Sequence, residues 1–154
     1  MNYTPDTSLC LIFHKTEKLL NEFFNHQLMS LGLNLHSEHW HILETLYYKG
    51  KHTQQEIADL HEKDKTHITR IVDFLENHNW VKRLSCKTDR RNKFVKLTAD
   101  GKKLFSENEH NIKTAVIGEI EKHLSNEEIS FLHSAISAFY EKLSEINKKV
   151  IINN

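Results

Sequence analysis

The chain has 154 residues and a mass of 18.2 kDa, room for one domain with a moderate core, or a small module carrying extra helices, and too little for a multidomain enzyme. Lys and Arg number 21, as do Asp and Glu, so the formal net charge is zero with His neutral, and bulk charge points to neither a nucleic-acid nor a membrane partner. Four Gly and one Pro favour long helices joined by brief links, and two cysteines, Cys10 and Cys86, exclude a disulfide scaffold or a Cys-rich zinc site.

The apolar run Leu9 to Phe13 is too short for a membrane span or a signal sequence, so a soluble cytoplasmic protein with no membrane partner is expected. Apolar residues at Leu9, Ile12, Phe13, Leu19, Leu20, Phe23, Phe24 and Leu28 have the spacing of a long amphipathic helix ending before Gly32. Ser37 to Tyr48 repeats the pattern through Trp40, Leu43, Leu46 and Tyr47, with Gly50 as the stop. Thr53 and Glu56 make a capping box that opens a short helix with Ile57 and Leu60 inside. Asp64 caps the next helix, whose inner stripe is Ile68, Ile71, Val72 and Leu75. Two short helices a few residues apart form a helix-turn-helix candidate.

Val81 to Ser85 and Asn92 to Leu97 read as strands of a hairpin whose tip, Cys86 to Arg91, is charged. Thr98 then caps a helix through Leu104, Phe105, Ile112, Val116 and Ile120, and Ser125 with Glu128 forms a second capping box. In the last helix Ile129, Leu132, Ile136, Phe139, Leu143, Ile146 and Val150 keep the rhythm of a helix that packs lengthwise on others. The expected fold is mainly α: a winged helix-turn-helix with a short β-hairpin wing, flanked by long N- and C-terminal dimerisation helices.

The neutral total hides a division of charge. Residues 63–103 carry 12 Lys and Arg against 5 Asp and Glu, a surplus of seven, and the rest of the chain carries the opposite excess. Positive charge concentrated on a compact element is the footprint of phosphate contact. In the helix begun by Asp64, the residues Lys65, Thr66, Thr69 and Arg70 lie largely apart from the apolar stripe, with His67 beside them. Such a helix enters a major groove N-terminus first, its hydroxyls and arginine reaching phosphates or base edges. At the hairpin tip Asp89 is placed to hold the Arg91 guanidinium extended. Arg91 is then the residue for a narrow minor groove, and Arg90 the one for the DNA backbone or for bracing the wing.

The stretch from His39-Trp40 through Thr53-Gln54-Gln55-Glu56-Ile57-Ala58, Asp64 to Glu76, Thr88-Asp89-Arg90-Arg91 and Leu97-Thr98-Ala99-Asp100-Gly101 resembles the MarR family of winged-helix transcription regulators. The resemblance covers roughly residues 35–105 and implies a homodimer built from the first and last helices. Such a dimer binds a pseudo-palindromic double-stranded DNA operator, commonly as a repressor released by a small molecule or an oxidant. The implied division is 1–34 for the N-terminal dimerisation helix, 35–103 for the DNA-binding domain and 104–154 for the C-terminal dimerisation helices. The family's usual effector site, between dimer helices and winged domain, would involve Trp40, Leu43 and helix one. The chain departs from the family at Asn79, where Gly is frequent, and at His67, where smaller residues are frequent.

Cys10 lies where the hydroperoxide-sensing branch of the family carries its reactive cysteine, but His14 and Phe24 stand where that branch has tyrosines. The alternative is a buried thiol serving as a small apolar side chain. His36 and His39 are spaced to share a metal and the family has zinc-responsive members, yet no paired-Cys or HxxxH signature accompanies them, so neither metal nor cofactor is expected. No nucleophile elbow or phosphate-cradling Gly loop is present, which argues against an enzyme. The competing class is a helical protein-interaction module that uses the terminal heptads and binds no DNA.

Overall fold

The computed structural model describes residues 8–85 and 93–152. These form α1 (Leu9–Ser30), α2 (Ser37–Lys49), β1 (His52–Thr53), α3 (Gln54–Leu60), α4 (Lys65–Asn77), β2 (Val81–Ser85), β3 (Lys93–Leu97), α5 (Ala99–Glu121) and α6 (Asn126–Ile152). They fall into two compact units, Met1–Lys113 and Thr114–Asn154.

In the first unit, the expected caps set the helix starts. Thr53 accepts from the Glu56 amide while the Glu56 carboxylate accepts from the Thr53 amide, and Asp64 accepts from the amide of His67. Three helix ends share one device, a left-handed residue after the cap whose successor bonds back to the last turn. Gly32, Glu62 and Asn79 take φ of 75°, 51° and 58°. The amides of Leu33, Lys63 and Trp80 then donate to the carbonyls of Leu28, Ala58 and Leu75. Only the first is a glycine. Asn79 tolerates the conformation and adds a bond from its side-chain amide to Asp100 at 2.8 Å, so this departure from the family pattern is accommodated.

The core is built from the predicted stripes. Leu28, Leu43, Leu46, Ile57, Ile68, Val72, Leu75 and Phe105 are all buried, each contributing about 1.5–3 kcal/mol by leaving water. The sheet has the order β1-β3-β2 and is antiparallel throughout, with Val81 opposite Leu97, Arg83 opposite Val95 and His52 opposite Val95 on the other side. The two-residue strand β1 is absent from the sequence reading. It is too short to show alternation and forms because β3 offers it an edge.

The hairpin is pinned at its base. The carbonyl of Trp80 accepts from the Thr98 amide at 3.0 Å, and the Thr98 hydroxyl in turn accepts from the Gly101 amide at 3.0 Å. Gly101 passes so close that a Cβ there would lie 1.9 Å from the Trp80 carbonyl oxygen. The end of α4, the start of β2 and the first turn of α5 thus meet at one peptide group.

At the start of α2 the His36 amide donates to Nδ1 of His39 at 3.0 Å, and the His39 ring stacks on Phe74 at 4.2 Å. Accepting that bond requires an unprotonated Nδ1. Burial, reinforced by His36, pulls the His39 pKa down from 6.5 to about 4, and burial also lowers that of His61.

In the second unit, Ser125 and Glu128 form the expected capping box for α6. Leu132, Ile136, Leu143 and Ile146 are exposed along that helix. No described helix is long and apolar enough to cross a membrane.

Gly101→Ala is expected to cost about 1–3 kcal/mol in urea unfolding, because the clash is with backbone. Gly118→Ala, whose new methyl would sit 3.6 Å from Thr114, should instead add up to about 1 kcal/mol of helix propensity. The two histidines set a pH dependence: they take up protons near pH 6.5 when unfolded but resist them when folded. Stability is therefore full above pH 6.5 and falls as the pH drops towards 4. His39→Gln keeps an acceptor and does not titrate, so its melting temperature should vary less across that window than that of the natural protein.

Candidate nucleic-acid interface

Helix α4 separates its faces as the spacing requires. Ile68, Ile71, Val72 and Leu75 are buried, while Lys65, Thr66 and Arg70 are exposed. Among the described residues, no ion pair within 4 Å engages Lys65 or Arg70. Two other predicted readers are already bonded. Thr69 donates from its hydroxyl to the Lys65 carbonyl at 2.8 Å and accepts from the Gln54 side chain at 2.8 Å, which ties α4 to α3. His67 lies 3.0 Å from the Glu38 carboxylate, which also takes Lys63 at 3.3 Å. Partial burial raises the Glu38 pKa, but the bonds from Lys63 and His67 outweigh it and hold the carboxyl below its ordinary value. The structure thus joins His67 to α2 rather than leaving it beside Lys65 and Arg70.

Arg83 on β2, counted in the sequence as part of the cationic footprint, faces inward instead. Its guanidinium reaches Asp73 at 2.6 Å, Glu76 at 2.5 Å and the Gln54 side-chain oxygen at 3.2 Å, and its amide donates to Glu76 at 2.8 Å. Since Gln54 also donates to Thr69, one continuous network runs from the wing strand to the exposed face of α4. Sequence reasoning missed this role; the available signal was Asp73 and Glu76, acids on an otherwise cationic segment. On the opposite face of the hairpin Lys82 and Lys96 are directly paired across the strands. Two like charges in that register repel each other, and an anion lying over them relieves the repulsion. Lys51 sits over the Phe94 ring at 4.8 Å on the sheet's other edge. Asp89, Arg90 and Arg91 lie outside the described residues.

Of the expected effector-site residues, Trp40 is stacked on Phe105 at 4.7 Å and Leu43 is wholly buried in the first unit. A cleft lies along another side of α2, lined by Glu17, Asn21, Asn25, Ser37, Glu38 and Ile42 among others. Cys10 is exposed on the single chain. His36 and His39 are used against each other at the helix start, and no metal-holding cluster occurs among the described residues.

A family model described as the MarR family matches residues 35–93. The transcriptional regulator MhqR of Bacillus subtilis is 31% identical over 123 residues, covering 79% of this chain and 81% of that protein. PrsX of Escherichia coli, a helix-turn-helix transcriptional regulator, is 35% identical over 95 residues, 60% of this chain. The chain spans about half the length of PrsX, 54%. Among solved structures, a mutant MarR from E. coli complexed with operator DNA superposes with a TM-score of 0.76 at 23% identity, covering 85% of this chain and 92% of that one. AbsC, a MarR family regulator from Streptomyces coelicolor, gives 0.77 at 23% identity over 94% and 99%. The winged-helix fold is shared with both.

Arg83→Lys keeps the charge but reaches only one of three partners. It is expected to cost about 1–2 kcal/mol in urea unfolding, discounted for the exposure of Asp73 and Glu76. Arg83→Ala combined with Gln54→Ala should be less destabilising than the two single costs added, and strict additivity would refute the network.

Proposed function

The chain belongs to the MarR family, and from that membership we propose that it is a sequence-specific DNA-binding transcription regulator. In this reading it binds a pseudo-palindromic operator as a homodimer and acts as a repressor released by a small molecule. The observation that carries the reading is the exposed face of α4, where Lys65, Thr66 and Arg70 stand clear of a fully buried opposite stripe. An N-terminal half-helix so equipped suits a major groove, with its dipole favouring phosphate. The hairpin beside it carries Lys82, Lys93 and Lys96, and its tip supplies Arg90 and Arg91.

Exposed apolar residues support the homodimer. Leu9, Ile12, Leu19 and Leu20 on α1 are each 47–66% exposed, and Leu132, Ile136, Leu143 and Ile146 on α6 each 44–57%. Rows of this size on a small soluble domain need cover, and a second copy supplies it symmetrically. Two-fold symmetry then sets the reading helices about 34 Å apart, one turn of DNA. Repression follows from occupancy of a promoter alone. The division into dimerisation and DNA-binding segments rests on the same grounds, and no catalytic group is assigned.

Operator selection from random DNA, followed by fluorescence anisotropy across a salt series, tests the proposal. Arg70→Ala is expected to lower the slope of log K against log salt by about one, and Arg91→Ala to weaken binding by about 1–3 kcal/mol. Thr66→Ala should change base preference more than overall affinity. Saturable binding that is indifferent to both arginine variants and to salt would overturn the reading.

A further inference from the structure

The network behind the hairpin also decides what one hydroxyl on α4 can offer. The terminal nitrogens of the Arg83 guanidinium are taken by Glu76 and Asp73, and its Nε donates to the side-chain oxygen of Gln54 at 3.2 Å. A guanidinium accepts nothing, so the oxygen of that amide must face it and the NH2 must face the other way. The NH2 meets Thr69 Oγ1 at 2.8 Å and can only donate to it. The one proton of Thr69 is therefore turned away from Gln54, and it goes to the Lys65 carbonyl at 2.8 Å. A helical threonine has two rotamers, of which one reaches the carbonyl of the preceding turn, and the bond from Gln54 selects that one. The donor and one of the two lone pairs are thus engaged within the protein. Thr69, half-buried beside the exposed Lys65, Thr66 and Arg70, has a single lone pair left for a partner.

We propose that Thr69 reads an exocyclic amino group in the major groove, cytosine N4 or adenine N6, and rejects guanine at the same place, with Gln54 as the positioning residue that sets this selectivity without touching the base. Guanine presents only the O6 and N7 acceptors on that edge. To meet them the Thr69 proton would have to leave the Lys65 carbonyl, and a lone pair would then face that carbonyl at hydrogen-bond distance. Left as it stands, the hydroxyl sets acceptor against acceptor and both stay unpaired. An amino group donates to the remaining lone pair with no rearrangement. Arg83 acts one step farther back, by fixing which end of the Gln54 amide points at Thr69. The inference rests on the regulator reading above, which makes α4 the helix in the groove.

Selection of bound sites from random DNA, run on the natural protein and on Thr69→Val, locates the base that Thr69 meets as the position whose preference changes. There the natural protein is expected to bind cytosine or adenine about fivefold or more tighter than guanine, read as Kd by fluorescence anisotropy. Thr69→Val, similar in shape but without the hydroxyl, should lose that preference; should it fold poorly, Thr69→Ala takes its place. Replacing the favoured base by its analogue without the amino group should weaken the natural protein by a similar factor and leave Thr69→Val unchanged. Gln54→Ala releases the second rotamer, so its three-bond couplings to the Thr69 methyl group should become averaged and guanine should be accepted. Gln54→Glu separates positioning from affinity. Its carboxylate still accepts from Arg83 and takes the Thr69 proton, so no donor is freed: overall binding weakens through the added negative charge, but guanine is still rejected. Guanine bound as well as cytosine and adenine by the natural protein, an amino-free analogue bound equally well, or rejection of guanine that persists in Gln54→Ala would each overturn the proposal. A selected site whose bases all ignore Thr69→Val overturns it and leaves the regulator reading standing. If no site is selected at all, both fall.

Discussion

The geometry of the helix-turn-helix and its hairpin depends on one peptide group, that of Trp80. Its amide closes the end of α4 on the Leu75 carbonyl, and its carbonyl receives the Thr98 amide at the start of α5. Gly101 allows the approach because nothing larger than hydrogen fits beneath that carbonyl. Both feet of the hairpin therefore stand on the end of the helix that carries Lys65, Thr66 and Arg70. The wing cannot pivot about its root without breaking the helix terminus, and the Arg83 network adds a second fastening farther up the strand. Groups on two different elements are held in one orientation, which a reader of two adjacent grooves requires.

Charge is apportioned on the same plan. A surplus of seven over residues 63–103 overstates the free positive surface, since Lys63 and Arg83 are neutralised by Glu38, Asp73 and Glu76. These internal pairs are partly exposed and add little to stability. Their effect is selective: Glu38, Asp73 and Glu76 are taken up by Lys63, His67 and Arg83, which leaves Lys65 and Arg70 with no ion pair within 4 Å among the described residues. The directly opposed Lys82 and Lys96 are the converse case. Charge kept in a self-repelling register costs stability in the free protein and favours an anionic partner.

Much of this was legible in the residues. Helix periods, four capping signals and the hairpin were readable because each is a local pattern of a few residues, and the caps at Thr53, Asp64, Thr98 and Ser125 are present as read. Contacts between elements distant in sequence were not. Trp40 and Leu43 lie on an apolar stripe, and a stripe alone does not say what covers it; Trp40 is covered by Phe105, 65 positions later. Arg83 carries the same charge as its neighbours, and only strand alternation with the position of Glu76 turns it inward. His67 was read from its helix alone, whereas its partner Glu38 is 29 residues earlier.

Glu38 joins α2 to the start of α4. It opens α2, where a carboxylate is favoured by the helix dipole, and it reaches α4 through His67. Both of its contacts, to Lys63 and to His67, are part-exposed, so together they supply on the order of 1–2 kcal/mol. A tie of that size biases the position of the α4 N-terminus without locking it, and the orientation of the hairpin depends instead on the backbone bonds of the Trp80 junction, which solvent screens less.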